Sequence, residues 1–168
     1  DVKIFLGYIR LSLKNITSFS VMFFMGNILE VPRTRGAYIL VTAINSSCKV
    51  RVGSLGEVFL KKGYYAYVGS AMGPGGLFCR IRRHLSRVKR LKWHIDYVLE
   101  AGRVICVAYT VSDVKLECEI ASLIAEKYSI VVEKLGSTDC RCKSHFFFLG
   151  EDLDSVEVFL DFLKEIES

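Results

Sequence analysis

Long apolar runs are missing from this sequence. The stretches Ile4–Ile9 and Phe19–Met25 are at most seven residues each, with Arg10 and Lys14 between them. Neither approaches the roughly 18 apolar residues that a membrane span needs. Proline is scarce, at two residues, and no tract rich in serine and glycine marks an interdomain linker. A well-formed secretory leader is also lacking, and the six cysteines are scattered, so the expectation is a cytoplasmic protein with reduced thiols and no membrane association. What is present suits one packed domain: 168 residues, of which 51% are hydrophobic and 24% charged, excluding intrinsic disorder as a class. The sequence opens on Asp1, and the reading places the start of translation at Met22 or Met25. Residues 1–30 are then an N-terminal extension to which no fold is assigned, and residues 31–168 are a single domain.

Hydrophobic periodicity from Gly36 onward predicts an α/β architecture, a small antiparallel sheet packed by helices. Gly36–Ala43 is nearly continuously apolar, as a central strand should be. Lys49–Gly53 and Glu57–Leu60 read as a hairpin, and Tyr64–Ser70 as an aromatic strand that places Tyr65 and Tyr67 on one face. Leu77, Ile81, Leu85 and Val88 recur at helical spacing, so a helix is expected over 77–88 with all four facing the core. A short helix is expected at Trp93–Leu99, a strand at Val104–Val111, a helix carrying Leu116 to Tyr128, short strands at Ser129–Glu133 and Ser144–Leu149, and a final helix. For that last helix, Asp154 followed three residues later by Glu157 suggests the cap.

Charge is distributed unevenly. Lys plus Arg outnumber Asp plus Glu by 23 to 18, yet Arg80–Lys92 holds seven basic residues and no acid. A face built from Arg80, Arg83 and Arg87, continued by Lys89, Arg90 and Lys92, suits a phosphodiester polyanion. The plainer alternative is a solvated basic helix. The tyrosines of Tyr64–Val68 are, by themselves, ordinary strand formers.

Gly36-Ala37-Tyr38 on one strand, Tyr67-Val68-Gly69 on a later one and Arg80 on the next helix resemble the GIY-YIG nuclease superfamily. The ordered string from Tyr67 through Leu77, the basic helix, Trp93–Leu99, Glu117-Cys118-Glu119 and Asp139–Phe148 is similar to its largely archaeal Uri-type branch. Tyr38 and Tyr67 lie 29 positions apart, wider than is usual in the superfamily, and the surplus reads as an inserted hairpin at Lys49–Leu60. The resemblance implies a metal-dependent endonuclease acting on DNA, with RNA left open. Tyr38 or Tyr67 would activate water, Arg80 would hold the phosphate, and a Glu would bind Mg²⁺ or Mn²⁺. On the helical wheel Glu117 lies nearer the apolar midline than Glu119 and is the chosen ligand. His84, one turn beyond Arg80, would contact phosphate or assist proton transfer; an inert surface residue is the alternative. His94 and Asp96 are expected to brace the basic helix. Specificity in so small a nuclease would come from a homodimer, a protein partner or substrate shape.

Cys140-X-Cys142-X-X-His145, preceded by Asp139, carries a separate signal. Two thiols and an imidazole could supply three ligands of a tetrahedral zinc site, with Cys118 as the fourth. A tight turn with small buried thiols is the competing reading of this cluster; the rivals to the nuclease are a nucleic-acid-binding module that keeps the fold without cleaving, and an interaction or metal-sensing domain built around Cys140–His145.

Overall fold

The computed structural model describes residues 10–13, 16–23 and 28–166. Nine strands and four α-helices appear among them: β1 (Arg10–Leu13), β2 (Ile16–Phe23), β3 (Gly36–Ile44), β4 (Cys48–Val52), β5 (Gly56–Leu60), β6 (Gly63–Ala71), α1 (Gly76–Leu85), α2 (His94–Ala101), β7 (Arg103–Val111), α3 (Glu117–Ala125), β8 (Ser129–Ile130), β9 (Phe146–Gly150) and α4 (Leu153–Glu165). Seven strands form one sheet in the order β1-β2-β7-β3-β6-β9-β8, while β4 and β5 pair separately as the inserted hairpin. Every pairing is antiparallel. The expected mixed α/β class with helices flanking an antiparallel sheet is therefore what the chain adopts.

Strand alternation sorts the core into two layers. Ala37, Ile39 and Val41 of β3 join Ala66 and Val68 of β6 under α3 and α4, where Ile120, Ile124, Phe159 and Leu163 meet them. The intervening Tyr38 and Leu40 point to the other face with Tyr65 and Tyr67, against Leu77 and Ile81 of α1, Ile95 and Val98 of α2, and Val52 and Leu60 of the hairpin. All nine residues of β3 are buried, as befits the middle strand of seven. A strand covered on both faces has no polar side to show, which explains its continuous apolar text.

Two glycines let this layer close. An ideal Cβ on Gly36 would lie 2.1 Å from the Thr110 carbonyl oxygen, and one on Gly69 would lie 2.3 Å from Cζ of Tyr38. Tyr38 sits directly opposite Gly69 in the β3–β6 register. The missing side chain at Gly69 is the space that the Tyr38 ring occupies.

Several expectations need correction. The first helix ends at Leu85 rather than Val88, and Val88 is 92% exposed instead of facing the core. The chain turns back because the Lys89 ammonium bonds the last carbonyls of α1, at 2.8 Å for His84 and 3.4 Å for Arg83. Arg87 through Lys92 consequently lie on a loop, not on a helical face. The cap of α4 is Asp152, whose Oδ1 accepts from Ser155 N at 3.1 Å and Ser155 Oγ at 2.8 Å; Asp154 already lies inside the helix. Within residues 1–30, to which the sequence assigns no fold, β1 and β2 pair with each other and β2 continues the sheet beyond β7. Met25 lies outside the described residues.

Gly69→Ala is expected to destabilise the protein by about 1–3 kcal/mol through overpacking against Tyr38, measurable by urea denaturation. Unchanged stability would mean that the ring has room to move.

Candidate functional site

A cleft of about 570 Å³ opens beside the α1–α2 face of the sheet and is lined by Tyr38, Tyr67, Arg80, Trp93, His94, Glu117, Cys118, Cys140 and His145, among others. Six parts of the chain meet there: β3, β6, α1, the start of α2, the start of α3 and the loop before β9. Tyr38 pairs across from Gly69 and Leu40 across from Tyr67, so the two phenols are diagonal neighbours on one face, with ring centroids 6.5 Å apart. Arg80, on the second turn of α1, lies with its guanidinium 4.3 Å from the centre of the Trp93 ring. Among the described residues no carboxylate pairs with Arg80, so its donors remain available to an anion. Glu117 opens α3 at the far side of the cleft.

Glu117 is half-buried while Glu119 is exposed. Glu117 Oε2 is buried with no hydrogen-bond partner. A desolvated carboxylate oxygen without a donor costs free energy unless something positive meets it. This donor fits a hard divalent cation such as Mg²⁺, which is bound through one or two carboxylates and keeps several waters.

His84 is not a surface residue. It is 3% exposed and sits directly behind the tyrosines, with Nε2 2.7 Å from the Tyr38 hydroxyl. Its Nδ1 lies 3.8 Å from Asp96 Oδ1, facing the carboxylate but beyond hydrogen-bond reach. Burial pulls the imidazole down to about 3, against the attraction of Asp96, so His84 is neutral. The carboxylate opposite Nδ1 favours the tautomer with its proton there, which leaves Nε2 to accept from Tyr38. Burial, followed by the neighbouring Tyr67, pushes the Tyr38 phenol well above its ordinary value, although Arg80 opposes the shift. Burial likewise raises Tyr67 against the pull of Arg80.

Asp96 anchors this arrangement. Arg83 donates to its two oxygens at 2.9 and 2.8 Å, and the backbone N–H groups of Lys92 and Trp93 both donate at 2.9 Å. Burial alone would raise this carboxyl, but those hydrogen bonds outweigh it and hold the group down at about 2. Arg83 also donates to the Arg90 carbonyl at 2.8 Å and lies over Trp93. Arg83 and Lys89 thus hold the loop in place, while Arg87, Arg90 and Lys92 are exposed. The brace expected of Asp96 is present. His94 instead accepts from Gly136 N at 3.2 Å, tying α2 to the loop before β9. The sequence alone assigns no role to Trp93, although a lone tryptophan beside a basic segment is a natural platform for guanidinium groups.

At the same end of the cleft, the ligand atoms of Cys118, Cys140, Cys142 and His145 lie within 4.8 Å of one another. The sequence marks the last three as one cluster and Cys118 as its distant partner, and the fold brings all four together. Burial, with hydrogen bonds to Cys142 and Cys140, pushes the Cys118 thiol up to about 12.

The neutral His84 gives acid stability a defined direction. Unfolded, it takes up a proton near its ordinary value of 6.5; folded, it resists until about 3. The unfolded chain therefore binds more protons between those values, and the His84 contribution is complete above that window and is lost as pH falls through it. Denaturation midpoints for wild type and His84→Gln across this range should show a shallower decline in the variant. Equal slopes would contradict a neutral buried imidazole.

No curated protein and no solved structure matches the chain. One family model does, over residues 37–168, a span that takes in both tyrosines, the basic segment, Glu117 and the Cys/His cluster. By that match the chain belongs to the family described as domain of unknown function DUF123.

Proposed function

We propose that this protein is a metal-dependent endonuclease of the GIY-YIG type, related to its Uri-type branch, that hydrolyses DNA phosphodiesters. The observation carrying the proposal is that Tyr38, Tyr67, Arg80 and Glu117, separated by up to 79 positions in the sequence, line one open cleft. The six free cysteines suit a reducing, cytoplasmic setting.

The chemistry needs an aligned water, neutralised non-bridging oxygens and a stabilised leaving group. Buried phenols are not standing phenolates, so Tyr38 must release its own proton as it accepts one. His84 Nε2, 2.7 Å away, is the acceptor. As water attacks phosphorus, the Tyr38 oxygen takes the water's proton and passes the hydroxyl proton to His84. The resulting imidazolium, which burial disfavours, faces the Asp96 carboxylate, whose attraction opposes that cost, so the proton rests there only transiently before it leaves with the departing oxygen. Tyr67, the diagonal neighbour, confines the attacking water on the same face. Arg80, held on the Trp93 ring, bonds two phosphate oxygens through its planar fork. Glu117 would hold one Mg²⁺ or Mn²⁺, which supplies charge neutralisation at the departing oxygen. The exposed Arg87, Arg90 and Lys92 contact flanking phosphates, while Arg83 and Lys89 keep their loop in position.

Incubation of wild type and Arg80→Ala with branched, nicked and linear DNA, and with RNA, in Mg²⁺ or Mn²⁺ tests the reading. Wild type should cleave a DNA substrate, and the variant should be slower by about a hundredfold to a thousandfold. Equal cleavage by both would overturn the assignment, and binding without cleavage would leave a nucleic-acid-binding module. Replacing Arg87, Arg90 and Lys92 together by Ala should flatten the dependence of log affinity on log salt by about 0.9 for each phosphate that is no longer neutralised. An unaltered slope would remove this loop from the interface.

A further inference from the structure

The cluster at the end of the cleft has the dimensions of a metal cage. Cys118 Sγ lies 3.8 Å and Cys140 Sγ 3.6 Å from His145 Nε2. With metal–sulfur bonds of about 2.3 Å and metal–nitrogen bonds of about 2.0–2.1 Å, a tetrahedron has S···N edges of about 3.6 Å. His145 is buried and the three cysteines are half-buried, with no disulfide among them. Three thiols and an imidazole converging on one point satisfy one another poorly as hydrogen-bonding groups, because each thiol is a weak donor and a weak acceptor.

The loop that presents them is built for the purpose. Lys134 adopts a positive φ of 62°, the only non-glycine residue to do so among those described. From there its backbone N–H bonds Lys143 O at 2.6 Å, and His145 N bonds Leu135 O at 2.9 Å, closing the loop on itself. The Lys134 ammonium donates to the carbonyls of Cys140 and Cys142 at 3.2 and 3.0 Å. It thereby brings a positive charge beside a donor set that, with three thiolates and a divalent ion, carries a net negative charge.

We propose that Cys118, Cys140, Cys142 and His145 hold a structural zinc ion in a closed tetrahedral site that staples the first turn of α3 to the loop before β9. Soft thiolates with one imidazole in tetrahedral array select zinc over hard cations. Four protein ligands leave no open position for substrate, so the ion organises the cleft and does not act on phosphate. Two cleft residues depend on the staple. Glu117 directly precedes Cys118, and the His145 carbonyl accepts from Val68 N at 2.9 Å, next to Tyr67. That consequence for catalysis rests on the nuclease reading, whereas the metal site does not.

Elemental analysis of the full chain, purified under reducing conditions and dialysed, should find about one zinc per chain. Replacing the ion with Co²⁺ should give intense visible bands of tetrahedral cobalt and a thiolate charge-transfer band in the near ultraviolet. Cys140→Ser and Cys142→Ser should each lose the ion or weaken its binding at least about tenfold, while the exposed Cys79→Ser should keep it. Because a ligand variant could fail to fold, the cobalt spectrum of the wild-type protein is the deciding reading. Protein that neither retains zinc nor gives a tetrahedral cobalt spectrum, or that carries iron, would overturn the proposal. Zinc without DNA cleavage would uphold the staple and remove only the nuclease reading.

Discussion

The buried carboxylate of Asp96 is the interaction on which the rest of this site depends. It is 1% exposed, and a charge so placed persists only when its oxygens are fully engaged. Arg83 from α1 and two backbone N–H groups at the start of α2 engage them. One side chain therefore fixes the α1–α2 angle, folds the basic loop over Trp93 and sets a negative charge opposite His84. The imidazole, confined between that carboxylate and Tyr38, in turn fixes the phenol. Removing Arg83 would leave the Asp96 carboxylate buried without its cation, which is the costly way to break such a pair.

The sheet supplies the complementary constraint. Tyr38 and Tyr67 face the same cleft because β3 and β6 pair antiparallel with Tyr38 opposite Gly69. A register shift of one residue between these strands would put the two phenols on opposite faces, one of them against α3 and α4. Gly69 enforces the match, since the ring of Tyr38 lies where a side chain would stand. The inserted hairpin β4–β5 leaves this pairing intact, because it packs against α2 on the α1–α2 face and carries Val52 and Leu60 into the core.

Much of this was legible in the sequence because alternation and helical spacing are local properties. The apolar text of Gly36–Ala43, the split of Tyr64 from Tyr65 and Tyr67, and the stripe through Ile120 and Ile124 all translate directly into strands and faces. What stayed hidden depended on partners distant in sequence. Arg83 reads as one of seven interchangeable bases, and only the fold gives it Asp96. His84 reads as a phosphate contact or a proton-transfer residue, or else as an inert surface histidine, and only the proximity of β3 shows that it is buried against Tyr38. Val88 continues an apolar stripe, but Lys89 turns the chain before the stripe can matter. The Cys140–His145 cluster is different: the sequence names Cys118 as its fourth member, and the packing of α3 brings it there. β1 and β2 lie in the stretch to which the sequence assigns no fold; β2 joins the sheet at the edge that β7 offers, and β1 pairs with β2 beyond it.

The central claim is that the Tyr38 hydroxyl, backed by His84, carries a proton during phosphodiester hydrolysis. Tyr38→Phe removes that one oxygen and keeps the ring that fills the space opposite Gly69. Single-turnover cleavage of a DNA substrate by wild type and Tyr38→Phe, with affinity measured in parallel, is the most direct measurement. The account predicts a rate lower by about a hundredfold or more in the variant, with DNA binding essentially unchanged. Cleavage at the wild-type rate without that oxygen would contradict it.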